Sequence, residues 1–321
     1  MKTIYYDRYG APEVLYLKEL EKPVLKDNEI LLKIRASAIT MGDCEMRSPK
    51  IPNVTWLIVR LFFGLRKPRK RILGSYLAGE IESVGKEVTS FSKGDRLFGI
   101  SERFGAYAEY ISLSDKAVLT ALPSNMTYEE AAPVALGLDS LHFLKKAKIN
   151  NKEEILINGA GGGIGTYAIQ LAKYFEAQVT AVDSADKLEM LRSIGADKVI
   201  DYKAGDFSHD GTTYDVVFDV VGALSHTRSL RLLNKNGRYV SAIPLLSRVL
   251  PNLWVSLTSK KKMMTGLTSP KIKDLEFLKE LIEAGTLKTI IDKKYALEEV
   301  ADAHRYIEQD LKKGNVVIAL E

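Results

Sequence analysis

The run Ala160-Gly161-Gly162-Gly163-Ile164-Gly165 has the residue types and the spacing to hold a phosphate. Glycines let the backbone turn sharply and approach a pyrophosphate closely, and a helix starting there would offer its unpaired N–H groups to the same anion. The run fits G/A-x-G-x-x-G with Ala160 in the first slot, a pattern that glycine-rich turns also produce without any ligand. Asp183 follows Gly162 by 21 residues, at the end of a second apolar run from Gln178 to Val182. A carboxylate at that place can accept hydrogen bonds from an adenosine ribose. The competing role for Asp183 is the N-cap of a helix beginning near Lys187.

These residues need a strand, a tight turn and a helix to position them. Ile155 to Asn158 is a short apolar run that reads as a buried strand, and Ile164, Ala168, Leu171, Ala172 and Phe175 form one face of a helix after the glycines. Downstream, strand patterns at 178–182, 198–200, 215–221 and 237–241 alternate with helix patterns at 187–194 and 225–233, the texture of a doubly wound parallel sheet with right-handed crossovers. Upstream, residues 1–122 read as short strands with turns at Gly10-Ala-Pro12 and Phe91-Ser-Lys-Gly-Asp95, which suggests a β-rich, partly open barrel. Thr127 with Glu130 three residues later looks like a capping box. After Pro270 the pattern is a helix at 275–284, a short strand near 289–291, a helix at 297–311 and a terminal strand at 315–320 that should rejoin the first domain. The expected division is 1–122, 123–268 and 269–321, an α/β chain overall.

Composition narrows the chemistry. With 321 residues, 46% of them apolar, the chain can bury two cores, and a net charge of +5 is too small and too dispersed to argue for nucleic acid. One cysteine, Cys44, allows neither a disulfide framework nor a thiolate-rich zinc site; it reads as a buried small hydrophobe or a loop thiol, in keeping with a reduced, cytoplasmic setting. His142, His209, His226 and His304 stand at no ligand spacing, so no metal is expected. The N-terminus lacks the apolar core of a signal peptide, and no uncharged apolar run of membrane-spanning length occurs.

Several further segments join the glycine run in a joint pattern: Ile34-Arg-Ala-Ser-Ala-Ile-Thr-Met-Gly-Asp43, Leu73-Gly-Ser-Tyr-Leu-Ala-Gly-Glu-Ile-Glu-Ser-Val-Gly85, Ile194-Gly-Ala-Asp-Lys-Val-Ile-Asp-Tyr202, Val217-Phe-Asp-Val-Val-Gly222 and Lys313-Gly-Asn-Val-Val317. Over nearly its whole length the chain resembles the zinc-free quinone oxidoreductase branch of the medium-chain dehydrogenase/reductase superfamily. The resemblance implies a GroES-like β-rich domain followed by a Rossmann domain. Thr40 and Ser75 then stand where zinc-dependent relatives place a cysteine and a histidine.

Lacking a Lewis acid, such an enzyme would reduce a conjugated acceptor more readily than it would oxidise an alcohol, taking hydride from NAD(P)H and a proton from water. By resemblance, Thr40, Asp43, Asp139 and Ser140 should lie near the nicotinamide, with cofactor contacts at Val221, Gly222, Ala242, Ile243 and Asn315. Thr40 replaces an asparagine common in these relatives, and Asp139 replaces a threonine. Asp139 would either favour the oxidised, positively charged ring or cap a helix. Asp183 would favour NADH by repelling a 2′-phosphate, whereas Ser184, Lys187 and Tyr202 match positions that hold that phosphate in NADPH-using relatives, with Lys203 nearby. Lys187 also reads as a solvated first-turn residue. Both cofactors are therefore expected to work.

Two apolar segments stand apart. Residues 56–71 carry a stripe (Trp56, Val59, Phe63) and then a basic run, readable as a membrane-surface site or as an insert covering the active site, the latter preferred. The second is Leu245 to Val255. Together they would suit a hydrophobic small-molecule acceptor, with no membrane partner. Relatives dimerise through sheet edges, which points to 215–244 for a homodimer. The competing function is a nucleotide-binding, membrane-associated relative with little or no catalysis.

Overall fold

The computed structural model describes residues 1–50, 54–209, 211–243 and 249–320, so residues 245–248 of the second apolar segment lie outside it. In chain order the first strands are β1 (Lys2–Tyr5), β2 (Tyr16–Glu19), β3 (Glu29–Ile39), β4 (Tyr76–Val84), β5 (Arg96–Ile100), β6 (Tyr110–Ser114) and β7 (Val118–Ala121). The later ones are β8 (Glu154–Asn158), β9 (Gln178–Asp183), β10 (Lys198–Asp201), β11 (Tyr214–Asp219), β12 (Leu233–Ser241), β13 (Lys262–Thr265), β14 (Ile291–Ala296) and β15 (Asn315–Ala319). They belong to two compact units: 1–135 with 271–285 and 289–321, and 136–270 with 286–288.

The first unit is built on a seven-stranded sheet. Its order is β14-β15-β3-β4-β5-β7, with β6 pairing β3. Strand β3 is buried along most of its length because β15, β4 and β6 all pair with it. The sheet's core holds Ile34, Leu77, Leu97, Val316 and Ile318, and the C-terminal strand enters it antiparallel to β3, with Val316 opposite Ile39. The change of texture near residue 122 precedes the unit boundary because the short helix Tyr128–Ala131, capped reciprocally by Thr127 and Glu130, packs on β3 and β4.

The second unit is a six-stranded parallel sheet in the order β10-β9-β8-β11-β12-β13. The chain starts in the middle at β8, works outward through β9 and β10, then reverses at β11, so the switch point lies between β8 and β11, where such sheets bind ligands at the strands' carboxyl ends. The helix Gly163–Tyr174 is more deeply buried than a one-faced reading allows. Thr166, Tyr167 and Gln170 are inside as well, because the helix packs both on the sheet and on the helix Gly137–Ala147. Gln170 donates to the Lys288 carbonyl at 3.0 Å and accepts from the Lys288 N–H at 2.8 Å, which ties 286–288 to this unit. Strands β11 and β12 are interior. Among the described residues the sheet edges are β10 and β13, so 215–243 supplies no sheet edge, contrary to the expectation that the edge for pairing lies within 215–244. Among the described residues no helix is long and apolar enough to cross a membrane.

Candidate functional site

In the second unit, the glycine run closes β8 and opens the helix Gly163–Tyr174 at the switch point. Gly159 and Ala160 both donate their N–H groups to the Val182 carbonyl of β9, at 3.0 and 3.1 Å, which folds the loop back over the neighbouring strand. Gly159 has φ +81°, a conformation other residues adopt at a cost. The remaining glycines are required for different reasons. A Cβ on Gly165 would lie 2.5 Å from the carbonyl oxygens of both Gly159 and Ala160, so helix–strand packing alone demands glycine there. A Cβ on Gly161 would strike Lys187 at 2.6 Å and the Asp183 carboxylate at 2.9 Å. At Gly162, the helix N-cap, the nearest protein atom would be 3.9 Å away. The protein's own packing leaves that space open, directly before the helix N-terminus, which fits a bound pyrophosphate.

Asp183 ends β9 beneath this loop. Its carboxylate accepts from the Gly161 N–H at 2.7 Å, from the Ser184 N–H at 2.9 Å and from Lys187 Nζ at 3.0 Å, with both members of the Lys187 pair buried. Asp183 caps no helix; the following 3-10 turn starts at Ser184, whose hydroxyl donates to Asp186 at 2.7 Å. Lys187 is not a solvated first-turn residue, being 2% exposed. Tyr202 donates its N–H to the Asp183 carbonyl at 3.2 Å and leaves its ring exposed, with Lys203 Nζ 5.6 Å from the ring centre. The structure thus gathers Gly161, Asp183, Ser184, Lys187 and Tyr202 at one end of the sheet.

On the other side of the switch point, the turn after β11 presents Val221, which is exposed, and Gly222, with φ +67°. A Cβ on Gly222 would lie 2.9 Å from Ile243, and one on Gly159 would lie 2.6 Å from Val221, so Gly159, Val221, Gly222 and Ile243 form one apolar shelf, with Ala242 bonded through its N–H to the Asp219 carbonyl. The motif around Gly222 conceals the residue that shapes this shelf. Asp219 is fully buried and accepts from Asn158 Nδ2 at 2.9 Å, the Leu224 N–H at 3.0 Å and the Tyr239 hydroxyl at 2.9 Å. Sequence reading passed over it because its partners come from three separate segments. Ser140 is also buried and donates to the Ile164 carbonyl at 2.7 Å, fastening its helix to the glycine loop. Asp139 stands beside it in the first turn of Gly137–Ala147, partly exposed.

In the first unit, Thr40 and Asp43 form a capping box on the helix Met41–Arg47. Thr40 donates to Asp43 Oδ2 through its N–H at 2.9 Å and through its hydroxyl at 2.7 Å, and its Oγ1 accepts from the Asp43 N–H at 3.2 Å. Gly74 N–H adds a fourth bond, to Oδ1, at 3.1 Å. This brings Thr40 and Asp43 beside the Gly74-Ser75 element. Burial still raises the Asp43 carboxyl above its usual pKa, against the pull of those donors. Its neighbour Tyr107 is buried too, and burial followed by the Asp43 charge holds its phenol well above the usual value. Cys44 is in the core, where burial pushes its thiol up. Asn315 is buried at the start of β15 and donates to the Ile290 carbonyl at 3.0 Å, with no partner for its Oδ1 among the described residues. Among the described residues no group of three or more His, Cys, Asp or Glu side chains could share a metal ion.

His304 joins this polar cluster, which sequence spacing did not single out. Its Nδ1 accepts from Arg47 Nε at 3.4 Å, its ring meets Tyr107 edge to face at 5.9 Å, and Arg47 also binds Glu308 and the Gly10 carbonyl. Burial and then the Arg47 charge push the His304 pKa from 6.5 down to about 3. A depressed folded-state pKa means that below 6.5 only the unfolded chain takes up this proton. Stability from this group is therefore complete above that pH and is lost as pH falls toward 3, at up to about 1.4 kcal/mol per unit. Asp43, with its raised pKa, works in the opposite sense and gains a proton on folding as the pH falls. We expect His304→Gln to flatten the decline in unfolding free energy between pH 7 and pH 5, by about 2 kcal/mol. Urea titrations at the two pH values measure it, and parallel declines in the two proteins would exclude His304 as the source.

Residues 26–124 match the family described as "Alcohol dehydrogenase GroES-like domain", and residues 194–318 match "Zinc-binding dehydrogenase". The chain is 31% identical to a 2-methylene-furan-3-one reductase of Solanum lycopersicum, across 99% of this chain and 79% of that protein. It is 30% identical to a chloroplastic quinone-oxidoreductase homolog of Spinacia oleracea, across 99% and 98% of the two chains. Among solved structures, the quinone oxidoreductase of Coxiella burnetii superposes with a TM-score of 0.88 at 27% identity, covering 100% of this chain and 99% of that one.

Proposed function

We propose that this chain, which belongs to the zinc-free quinone oxidoreductase-like branch of the medium-chain dehydrogenase/reductase superfamily, is an oxidoreductase that passes hydride from NAD(P)H to a quinone or an α,β-unsaturated carbonyl compound. The observation that carries this reading is the open space at Gly162 before the helix N-terminus, at the switch point of a parallel sheet. When bound, the dinucleotide supplies the hydride. The loop N–H groups hold the pyrophosphate, and Ser140 keeps the loop in register through the Ile164 carbonyl. The Val221, Gly222, Ala242 and Ile243 shelf shapes the place for the nicotinamide. Thr40 and Asp43 spend their hydrogen bonds on each other and on Gly74, so in this reading they shape the acceptor's surroundings, and water supplies the proton. Asp139 contributes negative charge near the ring, and Asn315 anchors the loop before β15. Two relatives, one named for a furanone reductase and one for quinone oxidoreduction, agree with this acceptor class.

The buried Lys187 ion pair neutralises Asp183, which lowers the repulsion of a 2′-phosphate and supports use of both cofactors. Asp183→Ser removes the carboxylate that offsets the Lys187 charge and would repel that phosphate. The NADPH-to-NADH affinity ratio should then rise about tenfold, a shift worth about 1.4 kcal/mol. Fluorescence titration of each cofactor with both proteins measures the ratio, and an unchanged value would exclude Asp183 from cofactor choice.

The test of the activity is cofactor oxidation followed against a panel of quinones and enones. Turnover with at least one acceptor class is the expected result. Cofactor binding without turnover on any of them would favour a weakly catalytic, nucleotide-binding relative instead. A cytoplasmic setting is part of the same reading, supported by a single, buried cysteine. So is a homodimer paired through β13, the sheet edge next to the exposed side chains of Leu250, Leu253, Trp254 and Leu257.

A further inference from the structure

The helix Val54–Phe63 is apolar on both sides. Its inward side chains Val59 and Phe63 pack against the core of the first unit, Phe63 edge to face with Phe104 at 5.6 Å. Arg60 is buried beside them, its guanidinium 3.3 Å from the centre of the Tyr9 ring. That packing leaves Leu57, Ile58 and Leu61 facing outward, and the chain continues in the same style with Leu65, so that Leu61 and Leu65 are each about half exposed, at 52% and 55%. A helix that has already docked has no need of a second apolar face in water, and contiguous exposed apolar surface of this kind marks a contact. The next residues decide what kind. Arg66, Lys67, Arg69, Lys70 and Arg71 follow within six positions, all exposed, and the whole stretch 57–71 contains no acid. Aliphatic side chains flanked by a dense cationic cluster complement a surface that is apolar inside and anionic at its rim.

We infer that this face docks on an anionic lipid surface, with Leu57, Ile58, Leu61 and Leu65 entering the boundary between headgroups and acyl chains and the following cations lying among the headgroups. The helix has 10 residues, so the attachment is reversible and depends on the cations as much as on the apolar stripe. This departs from the sequence expectation that the stripe covers the active site, since Val59 and Phe63 of that stripe are turned into the first unit's own core. The docking face does not depend on the identity of the acceptor, although a membrane is where hydrophobic quinones accumulate.

The test uses the full chain and vesicles of phosphatidylcholine with or without phosphatidylglycerol, and it reads binding rather than activity. The wild-type protein should float with the anionic vesicles at about 0.1 M salt. It should be released at about 1 M, where the Debye length shrinks from about 10 Å to about 3 Å. Near an anionic surface each cation is worth about a fivefold change in partitioning, so Arg66→Gln, Lys67→Gln and Lys70→Gln combined should lower it about a hundredfold. Leu57→Gln with Leu61→Gln should lower it as well. No flotation of the wild type, or flotation that the charge variant leaves intact, overturns the inference. It is equally overturned if the wild type ignores vesicles and Leu57→Gln with Leu61→Gln turns a dimer into a monomer, because a second copy of the chain would then cover the face.

Discussion

Gly162→Ala should weaken NAD(P)H binding by tenfold or more while the protein melts within about 2 °C of wild type; Gly165→Ala should cost about 3 kcal/mol of stability whether or not cofactor is present. The two glycines belong to one motif, yet the structure separates their reasons. A methyl at position 165 would stand 2.5 Å from two carbonyl oxygens of the loop, and backbone atoms at that distance must move. A methyl at position 162 would meet no protein atom closer than 3.9 Å. It would occupy the space before the helix N-terminus, where a pyrophosphate oxygen would have to approach the N–H groups. Thermal unfolding and fluorescence titration with each cofactor, done on both variants, make the comparison. Equal losses of stability in the two variants, with cofactor affinity retained in Gly162→Ala, would show that the loop is only a packing device.

Asp219→Ala should lower stability by about 3 to 5 kcal/mol, one of the largest losses available to a single polar substitution in this chain. Three donors converge on that carboxylate: the Asn158 amide, the Leu224 N–H and the Tyr239 hydroxyl. Removing it takes the acceptor away from the buried Asn158 amide and the Leu224 N–H. Cofactor affinity should fall together with stability, because the same carboxylate sets the turn that carries Val221 and Gly222. Urea unfolding at constant slope measures the change. A loss below about 1 kcal/mol in the single variant would mean that water or a rearranged turn satisfies these groups.

The sequence by itself determined the glycine loop, the alternation of strands and helices from β8 to β12, the capping box at Thr127 and the β-rich first third, but not β13. Each of these is encoded locally: glycines where φ turns positive or a backbone comes close, apolar side chains at the period of a strand or a helix, and a hydroxyl three residues before a carboxylate. Thr40 and Asp43 were named by resemblance alone, and their capping box emerged only in the structure, where both Asp43 oxygens are engaged by donors that include Gly74, 31 residues along the chain. The tertiary structure alone decided the rest. It made Asp183 a brace on Gly161 neutralised by Lys187, turned Val59 and Phe63 inward while leaving Leu57, Ile58 and Leu61 outside, put the sheet edges at β10 and β13, and assembled Asp219 and His304 with their partners. The physical reason is common to all of them. Periodicity and turn chemistry act between neighbours in the chain, whereas burial, ion pairing and convergent hydrogen bonding depend on which distant segments the sheets bring side by side.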